Sequence, residues 1–327
     1  MKNQCSPKKS DPMDISLGQE VILEDLVLED PYTVPYRGIY AICDEKNETA
    51  EIIEHSNCFS GACWSFHHYA KSPAVKSVRT YGEFIRYTVS MGVFPFELKS
   101  SVAAAGIESV TCAGSDVEIT YAGLGGGGVG ATKCRAYADG VSHYKITESG
   151  GGKTAKGTIY VPRRERVLVA IDDTDSCETG ATWTLTHNIA KAVSSDESIL
   201  LSQALVQLYP VPEKTQNCMS TVLEFGCVSP DAKKRLIERI RKLLLKYSVS
   251  ENTGMLVYSG FSVPQGLLDY SQKGRTSRVT KEEAGTVSKN NHVDVILGGN
   301  GMIGALAAFA WFANPIESVK PGFFVMP

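Results

Sequence analysis

The sequence lacks the marks of a membrane protein, a secreted disulfide scaffold and a paired-cysteine zinc module. No apolar run reaches the roughly 20 residues that a membrane-spanning helix needs. The longest, residues 302–313, is interrupted only by Gly304 and predicts a buried helix. Residues 1–10 are polar and slightly basic with no apolar stretch behind them, so no secretory signal is expected. The nine cysteines are odd in number and include no Cys-x2-Cys pair. Reduced thiols and a cytoplasmic location are the expectation, rather than a disulfide framework. Neither sign of charge dominates: 33 Lys and Arg against 36 Asp and Glu leave a net charge of -3. That excludes a protein that coats nucleic acid non-specifically, and leaves room for a local basic patch.

What is present is a chain of 327 residues, 43% hydrophobic and 21% charged. This is the composition of a soluble globular protein with a sizeable core, and its length suggests two domains. A loosely ordered lead is expected over residues 1–36, with a weak strand or helix signal at 21–30. An N-terminal α+β domain is expected over 37–162, and a second domain over 163–327. In the first domain, strands are expected at 38–43, 50–53 and 117–121, with strand-like segments at 134–138, 142–147 and 157–161. The spacing of Phe84, Ile85, Thr88 and Val89 predicts a helix over 81–91, and a further helix is expected over 97–106. The second domain alternates. Strands are expected at 166–171, 200–208, 221–225, 254–258 and 293–297, and helices at 182–193, 231–247 and 302–312. The fold class is α/β, α+β overall, with the second domain a layered α/β unit.

The densest chemistry is Asp172-Asp173-Thr174-Asp175-Ser176, directly after the apolar strand Arg166–Ile171. Three carboxylates in four residues repel one another, and Mg²⁺ bridging to substrate phosphates would offset that. A solvated turn with Asp and Thr as caps is the alternative. Gly180-Ala181-Thr182-Trp183-Thr184 then leads into a helix whose N-terminus suits phosphate, although a simple cap explains any one threonine. His187, one turn in, reads as a packed helix histidine. Gly298-Gly299-Asn300-Gly301 sits between a strand and a helix, an arrangement that brings backbone close to phosphate. It has neither the P-loop lysine nor the full dinucleotide fingerprint, and a tight turn is the plainer reading.

Three other features carry weaker signals. The glycine run 123–130 reads as a flexible loop. His55, Cys58, Cys63, His67 and His68 are too loosely spaced for zinc and read as buried thiols and ordinary histidines. The helix at 231–247 carries Lys233, Lys234, Arg235, Arg239, Arg241, Lys242 and Lys246, either a solvated face or one turned to RNA. Lys273, Arg275, Arg278 and Lys281 form a second basic stretch.

Residues 169–176 (VAIDDTDS), 181–184, 206–217 (VQLYPVPEKTQN) and 298–309 (GGNGMIGALAAF) together resemble the catalytic, kinase-like domain of archaeal isoleucine-tRNA 2-agmatinylcytidine synthetase. The likeness covers about residues 165–315, the second of the two domains set by length. That family uses ATP to activate a cytosine of tRNA so that agmatine can replace its oxygen. The resemblance implies that Asp172, Asp173 and Asp175 bind Mg²⁺ and ATP phosphates, with Thr174, Ser176 and Gly180 in the same nucleotide loop. It implies that Thr182 stands where a threonine can be phosphorylated and that Lys214 and Asn217 lie near nucleotide. Gly299, Asn300 and Gly301 would lie at phosphate or base. The family's Cys-Thr-Thr reads Ala181-Thr182-Trp183 here, and its Arg-Gly-Asn reads Gln216-Asn217-Cys218. Across the whole chain, residues 123–135, 160–164 and 172–190 resemble methanogenesis marker protein 11, a family of methanogenic archaea.

The first functional expectation is therefore an ATP- and Mg²⁺-dependent enzyme that activates an oxygen of a tRNA, a protein or a methanogenesis cofactor. The second is a nucleotide-binding assembly or regulatory factor for the methanogenic machinery. The third is RNA binding by the basic helix.

Overall fold

The structure is a computed structural model in which residues 27–322 are described. The expected lead at 1–36 falls outside these residues for its first 26 positions, as does most of the weak signal at 21–30. Residues 33–322 belong to one compact unit. The first stretch contains β1 (Gly38–Cys43), β2 (Thr49–His55), α1 (Phe59–Tyr69), β3 (Val75–Tyr81), β4 (Phe84–Ser90), β5 (Gly92–Val93), β6 (Ala105–Ala113) and β7 (Asp116–Leu124). Two short helices follow, α2 (Gly126–Ala131) and α3 (Lys133–Ala136), then β8 (His143–Ile146) and β9 (Thr154–Asp172). The remainder is α4 (Thr182–Val193), β10 (Ser198–Gln207), β11 (Met219–Cys227), α5 (Pro230–Tyr247), β12 (Gly254–Ser259), α6 (Gln265–Thr276), α7 (Lys281–Asn290), β13 (Asp294–Gly298), α8 (Met302–Ala308) and α9 (Pro315–Ser318). The expected mixed α+β class is what the chain adopts.

The spine is β9, 19 residues long. Its first half pairs with β7 and β8, Ala41 and Ile42 of β1 meet it at Arg163 and Arg164, and its second half lies between β11 and β12. The strand thus runs unbroken through residues 162 and 163. In the second half the strand order is β10-β11-β9-β12-β13, every pair antiparallel. One core cluster draws on residues 36–161, around Ile39, Tyr69, Tyr87 and Ile119. Two more flank the second half of β9, one with α4 and α5 and one with α6 and α8.

Local sequence explains the elements. In α5, Ser229 caps the first turn by accepting from the Ala232 amide at 3.1 Å, and Pro230 fits the first position. Ala232, Leu236, Ile240 and Leu244, four apart, form its buried stripe. The expected helix at 81–91 is instead the β3–β4 hairpin. Ile85, Tyr87 and Val89 alternate into the core, a period of two that β-branched and aromatic side chains favour in a strand. No described helix lies within 97–106, where Lys99 and Ala103 form a bridge. The segment at 134–138 is the end of a short helix rather than a strand. The glycine run is also ordered: it closes β7 and forms α2. A Cβ on Gly123 would overlap the Gly127 carbonyl, and one on Gly127 would lie 2.8 Å from the Trp64 ring. Glycine here permits close packing rather than flexibility.

A buried ionic network ties the first part of the sheet to the second. Arg86 of β4 donates to Glu224 of β11 at 2.5 Å and to Glu51 of β2 at 3.0 Å. Arg166 of β9 donates to Glu224 at 2.8 Å and also pairs with Glu51. Ser202 adds a hydrogen bond to Glu224 at 2.7 Å. Each charge has a partner, the condition under which such groups tolerate burial.

Candidate functional site

The second half of β9 reads Arg-Val-Leu-Val-Ala-Ile and is held on both sides, with Ile171 opposite Thr221 and Asp172 opposite Gly254. This delivers Asp172 to the strand's end. Asp173 then turns into the left-handed region at φ 53°, one that Asp tolerates better than most residues, and the chain leaves the sheet. The Asp173 amide donates to Asp172 Oδ1 at 2.9 Å.

The loop is clamped from several directions. The Thr174 amide and hydroxyl both donate to Thr182 Oγ1 at 3.1 Å. Ser248 donates to the Thr174 carbonyl and Thr253 to the Asp173 carbonyl, each at 3.1 Å. Thr215 donates to Asp175 at 2.9 Å. The Gln216 side-chain Nε2 donates to the carbonyls of Ser176 and Gly180 at 2.9 and 3.1 Å. Gly180 has φ 88°, a conformation that L side chains rarely adopt.

The glycine turn before α8 packs against this loop. The Gly299 and Gly301 amides donate to the carbonyls of Thr253 and Asn252 at 3.2 and 2.8 Å. Those two amides therefore hold the neighbouring loop rather than facing a phosphate. A Cβ on Gly301 would lie 2.6 Å from the Asp172 carbonyl, and one on Gly304 would overlap the Asp172 carboxylate.

A cavity of about 380 Å³ opens at this point. Of the expected site residues, Asp172, Asp173, Lys214, Asn217 and Asn300 line it together. Thr174, Asp175, Ser176, Gly180, Thr182, Gly299 and Gly301 do not. They shape the surrounding loops, and Thr182 is buried with its oxygen engaged by Thr174. Sequence reasoning did not place Glu213, Thr215, Cys218, Asn252, Arg278, Lys281 and Gly304 in this lining. In the sequence, Arg278 and Lys281 belong to a basic stretch with Lys273 and Arg275. Apolar walls come from Leu208, Val279, Ile303 and Ala307. A few polar groups converging in such a pocket are the usual form of a small-molecule site.

The acidic side is electrostatically unbalanced. Burial and the neighbouring Asp173 push the Asp172 carboxyl well above its ordinary range, and burial and then Asp175 raise Asp173. Among the described residues, no cationic side chain forms an ion pair with either. No three His, Cys, Asp or Glu side chains among the described residues form a group that could hold a metal ion. The expected trio of Asp172, Asp173 and Asp175 therefore reduces to a pair at the cavity, with Asp175 bonded to Thr215. Two carboxylates still suit Mg²⁺, which is commonly bound through one or two carboxylates plus substrate phosphates.

The other features have local explanations. Cys58 caps α1 by accepting from the Gly61 amide at 3.3 Å, and Cys58 and Cys63 are exposed rather than buried. His68 accepts from the Ala104 amide at 3.2 Å, and His55 stacks on Phe84 at 4.0 Å. His187 shares a hydrogen bond with Gln203 at 2.8 Å, in keeping with a packed helix residue. Much of the charge on α5 is spent on neighbours: Lys233 on Glu165, Arg235 on Glu197, and Arg241 and Lys242 on Glu238. Arg239 donates to the carbonyls of Val193 and Ala192. No described helix is long and apolar enough to cross a membrane.

Comparison with known proteins gives three kinds of likeness. Residues 168–296 match the family model of the TiaS TCKD domain. An uncharacterized protein of Methanocaldococcus jannaschii is 38% identical over 282 residues, 84% of this chain and 93% of the relative. Among solved structures, TiaS in complex with tRNA and ATP is 24% identical and has a TM-score of 0.39; the match covers 45% of this chain and 36% of that one. Apo TiaS, a tRNA agmatidine synthetase, is 21% identical with a TM-score of 0.38, covering 44% of this chain and 35% of that one. This chain thus spans about a third of the length of those enzymes.

Proposed function

The chain belongs to the family of the Methanocaldococcus jannaschii protein, and within it we propose an ATP- and Mg²⁺-dependent enzyme that activates a substrate oxygen by phosphoryl transfer. The observation that carries this reading is the cavity itself. It joins two carboxylates that have no cationic partner among the described residues, Asp172 and Asp173, to three cations, Lys214, Arg278 and Lys281. A polyanion with a divalent cation satisfies both sets at once. The match of residues 168–296 to the TiaS TCKD domain supports the same reading.

Asp172 and Asp173 would hold Mg²⁺, which supplies charge neutralisation on the phosphates when bound. Lys214 would bind phosphate oxygens, and Asn217 and Asn300 would orient the nucleotide through their amides. The apolar wall of Leu208, Val279, Ile303 and Ala307 offers a surface for the base. Residues 163–327 would form the nucleotide-binding half, and the α+β part over 37–162 would serve the substrate or a partner. The acceptor oxygen would belong to a tRNA, a protein or a cofactor of methanogenesis, in an archaeal cytoplasm.

A second reading is binding without turnover, as an assembly or regulatory factor. One observation favours it: the Thr182 hydroxyl oxygen is buried and held by Thr174, not presented to the cavity. The deciding experiment incubates the purified protein with ATP and Mg²⁺, alone and with total tRNA or methanogen extract, and resolves the products by chromatography. The enzyme reading expects ADP, the product of phosphoryl transfer, with the Asp172→Asn variant inactive; AMP and pyrophosphate would instead mean nucleotidyl transfer at the same site. Tight ATP binding without products in any mixture would overturn it in favour of the second reading. Equal turnover by the variant would remove Asp172 from the site.

A further inference from the structure

We propose that Arg278 makes this cavity selective for a polyphosphate over a monophosphate, and that Glu213 occupies Arg278 until such a ligand arrives. The proposal rests on the nucleotide reading above and adds to it the residue that senses the length of the phosphate chain.

The three cations of the cavity are not equivalent. Lys214 donates to the Gln216 carbonyl at 2.8 Å, and Lys281 to the Asn300 side-chain oxygen at 3.4 Å. Neither has a carboxylate partner among the described residues. Arg278 does: it pairs with Glu213 at 2.5 Å, and both residues line the cavity. The two come from different segments. Glu213 lies in the stretch between β10 and β11, and Arg278 lies in the connector between α6 and α7. Their ion pair therefore bridges two parts of the cavity wall.

This pair is easily exchanged. Its side chains are 63% and 59% exposed, so solvent screens the attraction and the pair contributes little. A phosphate group offers the guanidinium a bidentate, charge-assisted contact of better geometry and higher charge. Once Arg278 turns to phosphate, Glu213 is left as an uncompensated negative group at the cavity. Only a ligand with enough negative charge to offset that lost pairing captures Arg278. A triphosphate has charge enough for the paired lysines, the carboxylate-bound cation and Arg278 together. A monophosphate is satisfied by the lysines alone and leaves the Glu213–Arg278 pair intact.

Lys273 and Arg275 of the same basic stretch are committed elsewhere. Lys273 pairs with Glu283 at 2.6 Å. Arg275 stacks over Trp311 at 3.8 Å and donates to the Gln207 carbonyl at 3.2 Å. Of the arginines in that stretch, Arg278 is the one that lines the cavity.

The test is equilibrium binding of ATP and of AMP, each with Mg²⁺, to the full chain and to its Arg278→Ala, Glu213→Gln and doubly substituted forms. Arg278→Ala is expected to weaken ATP binding at least about tenfold, the range of one charge-assisted contact, and AMP binding less than about threefold. Glu213→Gln is expected to tighten ATP binding several-fold, and to tighten it less when Arg278 is already alanine. Wild-type protein that binds ATP while Arg278→Ala changes ATP and AMP equally, or neither, overturns this proposal alone. Wild-type protein that binds neither nucleotide overturns the nucleotide reading and this proposal with it. Both substituted residues are exposed, so retained far-ultraviolet circular dichroism is expected for all forms.

Discussion

The carboxylate of Asp172 occupies the space that a Cβ on Gly304 would fill. The last residue of β9 and the first turn of α8 are thus fitted to each other, and a side chain at 304 must move Asp172. Leu208 Cδ1, at 2.9 Å from the same Cβ position, closes the other escape. Gly304→Ala is therefore expected to weaken Mg²⁺-dependent ATP binding at least about tenfold. It should cost roughly 1–3 kcal/mol of stability, the usual range for overpacking. Calorimetric binding and chemical denaturation on the same preparation separate the two effects. Unchanged binding would mean that the Asp172 position is not set by this contact.

Asp172→Asn should trade function for stability. Burial and Asp173 raise the Asp172 carboxyl, so the folded protein holds its proton more tightly than the unfolded chain does. Its charge therefore opposes folding increasingly as pH rises from the ordinary value of 3.8 through the raised one. Removing the charge should stabilise the protein near neutral pH by about 1 kcal/mol, a rise of roughly 2 °C in Tm for a chain of this size. ATP binding should fall at the same time. A variant that loses stability instead would argue that Asp172 is structurally compensated.

Glu224 behaves in the opposite sense. Burial alone would raise its carboxyl, but Arg86 and then Arg166 outweigh burial and bring it down to about 2. Its contribution to stability is full above the ordinary value of 4.5 and is lost as pH falls toward about 2. Urea midpoints between about pH 6 and about pH 3 should drop in the wild type and drop less in Glu224→Gln. Arg86→Ala should cost about 3–5 kcal/mol at neutral pH, because it leaves Glu51 and Glu224 each short of a buried partner. A loss below about 1 kcal/mol would mean that water reaches the network.

The second half of the fold was largely legible in the sequence, and the first half much less so. Helix α5 carries a cap, and helices α4 and α5, the second half of β9 and strands β10 to β12 show clear apolar patterns, so their positions follow within a few residues. Hairpin β3–β4 was hidden because its buried residues include Arg86, whose polar side chain interrupts the apolar count yet faces Glu51 and Glu224. The glycine run was hidden because helix propensity counts glycine as a breaker. Here contact with β7, β9 and Trp64 overrides propensity. At the site, the carboxylates announced themselves by density. Arg278, Lys281 and Gly304 did not, because what brings them to Asp172 is the packing of α6, α7 and α8, separated from β9 by a hundred residues of chain. Gly180 and the glycine turn were visible as motifs, but their work is to hold loops together.

Thr182 tests whether the acidic loop is built or merely placed. Its oxygen accepts both the amide and the hydroxyl of Thr174, and no part of it lines the cavity. Before that hydroxyl could receive a phosphoryl group, Thr174 would have to surrender both bonds and the loop bearing Asp173 would have to open. The first duty of Thr182 is therefore to fix the loop. Thr182→Val is expected to leave two buried donors unpaired, to cost about 1–3 kcal/mol, and to weaken ATP binding with it. Thr182→Ser keeps the acceptor and should restore both stability and binding. Mass spectrometry of wild-type protein after incubation with ATP and Mg²⁺ supplies the independent readout. Phosphate on Thr182 would mean that the loop opens during turnover. Its absence alongside active Thr182→Ser would leave the residue a positioning group.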